Sequence, residues 1–431
     1  MISVGLYTLG CKVSQYETEA IAEEFEKRGY TVLDFSDAND VYVINTCTVT
    51  AEADRKSRQM IRRAKKKNPL AKVIVCGCYS QRSPEEVLNV DGVDAVIGSY
   101  GKMRVPEIAE RLFEGESKIL EVSDVDKEPF EDMRITRGPR TRVYVKIEDG
   151  CESRCTYCAI PSARGRVRSK PREDVIEEIE ALAKSGVREI VLTGIETGSY
   201  GADFKNGYRL KDLIRELDER KSASLIRLGS LAPELIGADF VNTVKDLSIL
   251  APHFHLSIQS GSDNVLRGMK RRYSRAMALE NIKRIREAIP GAAFTTDVMV
   301  GFPGESEADL LDTVSFIREV RFLDAHVFAY SKRKNTPAES YPDQVPESTK
   351  RERSEKLIAV VKEVRESVLS ELIESREPLP TIFEEKREGG WYGHAANFAE
   401  IIAESDDDLH GVQKLVLPIA LENGIIRGKI V

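Results

Sequence analysis

The chain has 431 residues, of which 41% are hydrophobic and 31% charged, and its formal net charge is −7. That length exceeds what one ordinary core holds, so two to four domains are expected. No apolar run approaches the roughly 18 residues of a membrane span. The N-terminus, MISVGLYTLGCKVSQYE, lacks a basic region followed by a long apolar run, so no export signal is expected and a cytoplasmic location is.

In chain order, the first hundred residues alternate strand and helix signals. ISVGLYTL, DVYVINT and KVIVCG are short runs rich in Val and Ile, as strands buried on both faces are. TEAIAEEFEKRG and DRKSRQMIRRAKKKNP have helical spacing, the second stopping at Asn68-Pro69. This alternation predicts an α/β fold with a doubly wound parallel sheet over residues 1–116. A charged stretch with little periodicity, residues 117–140, reads as a linker. A second alternating series occupies residues 141–370, with strands expected at RVYVKIE, REIVLTG, LIRLGSL, FHLSIQS, AFTTDVMVG and LDAHVFAYS. It suits a full or partial parallel β/α barrel, whose catalytic groups sit on loops at the carboxyl ends of the strands. Residues 371–431 are strand-like and broken by Gly and Pro, which predicts a small all-β barrel.

All seven cysteines lie in the first 158 residues. An odd number so confined points to metal or redox chemistry and away from a disulfide scaffold. Cys151-x3-Cys155-x2-Cys158 directly follows the first barrel strand. Three thiolates on one tight loop can hold three irons of a 4Fe–4S cube and leave the fourth open. A zinc site would want a fourth Cys or His nearby. Cys11, Cys47 and Cys78 each stand just past a predicted strand, and such strand ends face one crevice in an open parallel sheet. Three thiols far apart in sequence are therefore expected to converge. Cys76 lies inside its strand and is expected in the core.

Basic residues bear on the partner. Arg55 to Lys67 carries eight cations and no acid, and RITRGPRTR, ARGRVRSKPR and RGMKRR add further patches. Arg62, Arg63, Lys66, Arg164, Arg166 and Arg168 are candidates for phosphate contacts. Trp391, with Tyr392, His394 and Phe398, is a candidate for stacking on exposed bases. The EE and DDD runs of the C-terminal module weigh against RNA and toward a polypeptide substrate.

The cysteine loop after the first barrel strand resembles the radical S-adenosylmethionine (SAM) superfamily. GCKVSQYE, INTCTVT and CGCYSQ, followed by GCESRCTYCAIPSARGRVRS, HLSIQSGSDNVLRGMKRRY and TTDVMVGFPGE, closely resemble the radical SAM methylthiotransferase family over essentially the whole chain. The resemblance implies a radical SAM partial barrel and a C-terminal TRAM-like barrel. It implies SAM and two 4Fe–4S clusters: Cys151, Cys155 and Cys158 hold the one that chelates SAM and cleaves it to a 5′-deoxyadenosyl radical. Cys11, Cys47 and Cys78 hold an auxiliary one that supplies sulfur. It places Tyr157 near adenine, Gly194 and Glu196 near the SAM amino end, and Ser230, Gln259 and Asp297 near ribose or substrate. Ser14, Glu196 and Ala232 depart from the common family pattern. GCKVSQYET and LTGIETGSYG look most like the branch acting on N6-threonylcarbamoyladenosine at position 37 of tRNA. Isopentenyladenosine in tRNA and a ribosomal-protein aspartate are the alternatives, and a non-catalytic iron–sulfur RNA-binding protein is a third. The expected partners are tRNA and an electron donor such as flavodoxin or ferredoxin, for a monomer with no membrane attachment.

Overall fold

The computed structural model describes residues 2–138 and 141–431; Met1 and the end of the expected linker, Pro139 and Arg140, lie outside the described residues. Six strands form the N-terminal sheet: β1 (Ser3–Thr8), β2 (Thr31–Leu33), β3 (Val41–Thr46), β4 (Lys72–Gly77), β5 (Ala95–Ile97) and β6 (Ile119–Glu121). Their order is β2-β1-β3-β4-β5-β6, all parallel. Successive side chains of β3 and β4 alternate between two cores. Val43, Ile74 and Cys76 enter one, and Tyr42, Ile44, Val73 and Val75 the other. Both faces are covered, so these strands read as unbroken apolar runs. Helices α1 (Lys12–Lys27), α2 (Ala51–Lys67) and α3 (Cys78–Arg82) follow the ends of β1, β3 and β4.

The stretch expected to be a linker is packed into both neighbours. Within it β6 pairs with β5, and Met133 and Ile135 are buried in the barrel core. The Tyr16 hydroxyl of α1 donates to the Met133 carbonyl at 2.6 Å. Its apolar residues are few and irregularly spaced among charges, so no periodicity reveals them.

The central unit is a partial barrel. Strands β7 (Arg142–Lys146), β8 (Glu148–Asp149), β9 (Arg168–Ser169), β10 (Glu189–Thr193) and β11 (Leu225–Leu228) come first, then β12 (Ser230–Leu231), β13 (His253–Gln259), β14 (Ala293–Val300) and β15 (Asp324–Ala329). Parallel sheets β11-β10-β7 and β12-β13-β14-β15 adjoin through a bridge from Ile226 to Leu250. The expected strand LIRLGSL thus breaks at Gly229, where an added Cβ would stand 2.9 Å from the Leu192 carbonyl oxygen. Helix α1 packs along β7.

A long helix, Glu347–Ser375, leads to the expected C-terminal barrel of β16 (Leu379–Arg387), β17 (Gly390–Ala395), β18 (Glu400–Ala403), β19 (Gln413–Glu422) and β20 (Ile425–Ile430). It is closed in the order β16-β17-β18-β20-β19. It docks on the amino ends of the central strands. Phe398 stacks on His253 with ring centroids 4.6 Å apart, and the Arg227 and Arg142 guanidinium groups lie 4.8 and 5.3 Å from its ring. Among the described residues no helix is long and apolar enough to cross a membrane.

A buried ion cluster joins the first two units. Glu17 of α1 accepts from Arg164 Nη2 at 3.1 Å and Lys146 Nζ at 2.9 Å, and also from Lys102. Burial pushes the Glu17 carboxyl up, but Arg164, Lys102 and Lys146 outweigh it and hold the group well below the usual range. Its stabilising contribution is therefore complete above the ordinary glutamate range and is lost as pH falls through the lowered native value. Glu17→Ala would strand buried cations and is expected to cost about 3–5 kcal/mol, read from urea unfolding at neutral pH.

Candidate active site

Cys151, Cys155 and Cys158 lie on the loop after β8, at the carboxyl end of the first barrel strand. Strand β8 pairs antiparallel with β9, Asp149 opposite Arg168, and pinches the loop shut at its base. Cys151 N donates to the Gly165 carbonyl at 3.0 Å. Gly150 has φ +91°, and a Cβ there would stand 1.9 Å from the Arg166 carbonyl oxygen, so only glycine fits. Thr156 ties the loop to the 268–269 turn, with its N donating to the Met269 carbonyl at 3.1 Å and its Oγ1 to that of Gly268 at 2.9 Å.

Cys11, Cys47 and Cys78 follow β1, β3 and β4 and come together at the carboxyl edge of the N-terminal sheet. Gly10 packs so closely that an added Cβ would stand 3.4 Å from Cys47 Sγ. Gly77, at φ +103°, brings Cys78 in, and a Cβ there would meet the Thr46 carbonyl oxygen at 2.5 Å. Burial and the neighbouring Cys78, then Cys11, push the Cys47 thiol up to about 12. Burial likewise pushes Cys158 up to about 12, with Cys155 and Cys151 adding to it. Cys47 and Cys158 thus resist ionising unless a metal takes the negative charge, since coordination strips a thiol of its proton. Among the described residues no three His, Cys, Asp or Glu side chains meet tightly enough for a single metal ion. A 4Fe–4S cube gives each of three thiolates its own iron. Cys76 is in the core, as expected, and burial pushes its thiol up to about 12.

A cavity of about 240 Å³ opens between the two units. Its wall includes Cys151, Cys155, Cys158, Tyr157, Glu196, Gln259 and Asp297, with Val49 and Thr50 of the N-terminal domain opposite. Of the expected SAM-site residues, Gly194 stands beside the cavity, with room for no Cβ against Glu148 Oε2 at 2.5 Å. Ser230, in β12, does not line it. The Glu196 amide donates to Glu148 Oε2 at 3.0 Å, and Glu196 Oε1 accepts from Ala232 N at 3.0 Å. Burial pushes Glu196 up to about 7 and Glu148 well above the usual range. Asp297 is also raised by burial, but the hydrogen bond from His255 Nε2 at 3.2 Å and nearby cations prevail and lower it. Gln259 ends β13 at φ 65°, where the register with β14 shifts. A non-glycine residue held there stores on the order of 1–3 kcal/mol of strain, a cost typical of ligand sites.

Two contributors are not visible in the sequence. Arg271 lines the cavity and donates from Nη1 to Cys155 Sγ at 3.3 Å. Glu148 supports the 194–196 turn from below. A further signal of the cysteine sites is a Gly at positive φ directly before Cys11, Cys78 and Cys151, which Cys47, preceded by Thr46, lacks.

The expected RNA contacts divide. Arg62, Arg63 and Lys66 are exposed on α2, and Arg166 is exposed beyond the cysteine loop. Arg164 and Arg168 are instead buried: Arg164 serves Glu17, Asp149 and Cys78, and Arg168 donates to the Arg164 carbonyl. Trp391 is only 7% exposed and packs in the core of the C-terminal barrel, so it offers no ring to a base. A cation in a sequence shows its charge but not the carboxylate it folds onto, and an aromatic on a short strand fits core and surface alike.

Residues 145–317 match the Radical SAM superfamily, and residues 3–98 match a family described as Uncharacterized protein family UPF0004. The chain is 40% identical to threonylcarbamoyladenosine tRNA methylthiotransferase MtaB of Bacillus subtilis (strain 168), over 95% of this chain and 92% of the relative. The protein of that name from Aquifex aeolicus is 37% identical over 90% and 94% of the two chains. tRNA-2-methylthio-N(6)-dimethylallyladenosine synthase of Acetivibrio thermocellus is 33% identical over 86% and 79%. Among solved structures, the radical S-adenosylmethionine methyltransferase TsrM of Kitasatospora setae, with tryptophan and a SAM analogue bound, superposes at a TM-score of 0.61. At 16% identity over 84% of this chain and 89% of that one, the likeness is one of fold. With its relatives matched along nearly their whole length, the chain belongs to the radical SAM methylthiotransferase family.

Proposed function

We propose that this protein methylthiolates C2 of N6-threonylcarbamoyladenosine at position 37 of tRNA, with SAM as methyl donor and radical source and an auxiliary 4Fe–4S cluster as sulfur source. The observation that carries the reading is the cleft, where the 151–158 cysteines face Val49 and Thr50, just beyond Cys47, across one cavity. The choice of base rests on the relatives, since those named for threonylcarbamoyladenosine are 40% and 37% identical and the one named for dimethylallyladenosine 33%.

Membership of the radical SAM superfamily brings SAM and one 4Fe–4S cluster. In this reading Cys151, Cys155 and Cys158 hold that cluster, and Cys11, Cys47 and Cys78 hold the second. When bound, the first supplies the electron that splits SAM and the second the sulfur. The chain's own residues bind and orient. Glu196, poised near 7 by burial, ionises against an arriving ammonium and accepts a charge-assisted hydrogen bond from SAM. Gln259 and Asp297 present an amide and a carboxylate to hydroxyl groups of ribose or substrate. Tyr157 packs edge-on against Phe302, centroids 6.5 Å apart, and walls the cavity from water. Ser230, outside the cavity, has no direct contact in this reading. The exposed cations of α2 lead away from the rim, because Thr50, which caps that helix, also lines the cavity. Electrons come from a small donor such as flavodoxin or ferredoxin. In this reading the N-terminal unit of 1–116 extends to β6 at Ile119–Glu121, the unit of 141–370 extends to the end of the long helix at Ser375, and the C-terminal barrel follows.

Deleting the gene is expected to abolish the 2-methylthio derivative of threonylcarbamoyladenosine in tRNA digests read by mass spectrometry, and persistence of that nucleoside would sink the assignment. Anaerobic reconstitution is expected to load about eight irons per chain, from two four-iron cubes. Replacing Cys11, Cys47 and Cys78 by Ala should halve that count and preserve SAM cleavage, whereas Cys76→Ala leaves iron unchanged. Arg62→Ala, Arg63→Ala and Lys66→Ala together are expected to weaken tRNA binding and flatten its salt dependence, by about one unit of slope per lost phosphate contact. Lys118→Ala, outside the basic helix, serves as the control in the same titration.

A further inference from the structure

Arg164 is the final residue of the five-residue helix Ile160–Arg164, which lies between the two cysteine sets. At its start, the Ile160 amide donates to Cys158 Sγ at 3.4 Å. At its end, Arg164 Nε donates to Cys78 Sγ at 3.2 Å. One short helix therefore touches a sulfur of each set, and it packs directly on α3, which begins at Cys78.

The guanidinium cannot swing away. Arg164 is fully buried, Nη1 and Nη2 are held by the two carboxylate oxygens of Glu17, and Nη1 also meets Asp149 Oδ2 at 3.1 Å. The planar fork spans both Glu17 oxygens and the sulfur from one rigid group, a reach that a lysine ammonium, a point charge on a flexible stem, does not reproduce. Glu17 is anchored in turn by Lys102 and by Lys146, the last residue of β7.

We propose that Arg164 is a positioning residue that fixes the separation of the two cysteine sets and, through its N–H···S bond to Cys78, raises the reduction potential of the cluster that the Cys11, Cys47 and Cys78 set would hold. The inference rests on the two-cluster reading given above. Transfer of a sulfur group to an activated carbon depends on the two sites standing in register, and small misplacements cost one to two orders of magnitude. Hydrogen bonds and positive charge at a ligand sulfur raise a cluster's reduction potential, and their loss lowers it.

The full chain, reconstituted anaerobically, is compared as wild type, Arg164→Met and Arg164→Lys. Iron content, potentiometric EPR of each cluster, and product formed per 5′-deoxyadenosine released are measured. Wild type taking up only about four irons refutes the two-cluster reading itself, independently of Arg164. With about eight irons loaded, Arg164→Met is expected to shift only the auxiliary midpoint downward. It should leave SAM cleavage near wild type and lower product per 5′-deoxyadenosine about tenfold or more. Arg164→Lys, which keeps the charge, should recover much of the midpoint but not the coupling. An unchanged auxiliary midpoint in Arg164→Met, or product and 5′-deoxyadenosine falling in step, overturns the proposal. Should Arg164→Met fail to hold iron, Arg164→Lys decides by its coupling ratio alone, and a wild-type ratio there overturns the proposal.

Discussion

The arrangement depends on a buried imbalance of charge. Lys102, Lys146, Arg164 and Arg168 converge on only two carboxylates, Glu17 and Asp149, at the seam between the N-terminal sheet and the barrel. Ions out of water are costly, and a cluster of this kind persists where its geometry satisfies nearly every group. Here Glu17 comes from one unit, while Lys146, Asp149, Arg164 and Arg168 come from the other. Lys102 comes from the same unit as Glu17, so docking gathers cations in excess of these two carboxylates, and Arg164 turns one N–H of that excess toward Cys78. An interface built in this way sets one orientation rather than a range of them, because sliding would strand ions in a dry seam.

That fixed orientation gives the strand ends their meaning. Each parallel sheet, taken alone, presents its loops at one edge, as such sheets do. With α1 packed along β7, the edge carrying Cys11, Cys47 and Cys78 is turned to the mouth of the barrel, where the 151–158 loop stands. The opposite end of the barrel is filled differently. Arg142, Glu189 and Arg227 form a charged layer there, closed by Phe398 from the C-terminal barrel. The C-terminal barrel therefore braces the scaffold from behind, and its buried aromatics belong to that role.

Much of this was legible in the sequence, for reasons that can be named. Strands β3 and β4 are covered on both faces, so their apolar runs are continuous and their ends fall where Cys47 and Cys78 stand, whereas Asp297, expected at a strand end, lies within β14. Cys76 was separable from Cys78 because it lies within β4, whereas Cys78 stands just past the strand's end at Gly77. What escaped were features made by contact across distance. Arg164 and Arg168 look like their exposed neighbour Arg166 until Glu17, 147 residues away from Arg164, folds against them. The β8–β9 pair is two residues long on each side, and β6 three, too short for any pattern to rise above chance. Arg271 reaches Cys155 across 116 residues, a pairing that only the barrel's closure creates.

The two cysteine sets also differ in how their geometry comes into being. Cys151, Cys155 and Cys158 are close neighbours on a pinched loop, so the entropy of gathering them is small and local. Cys11, Cys47 and Cys78 are joined by long stretches of chain, and only pairing of β1, β3 and β4 brings them to one edge. A nascent or partly unfolded chain can thus present the first set while the second does not yet exist. Iron loading of the second set becomes a report on the folded sheet, and metal bound there stabilises the docked state over its open alternatives by mass action.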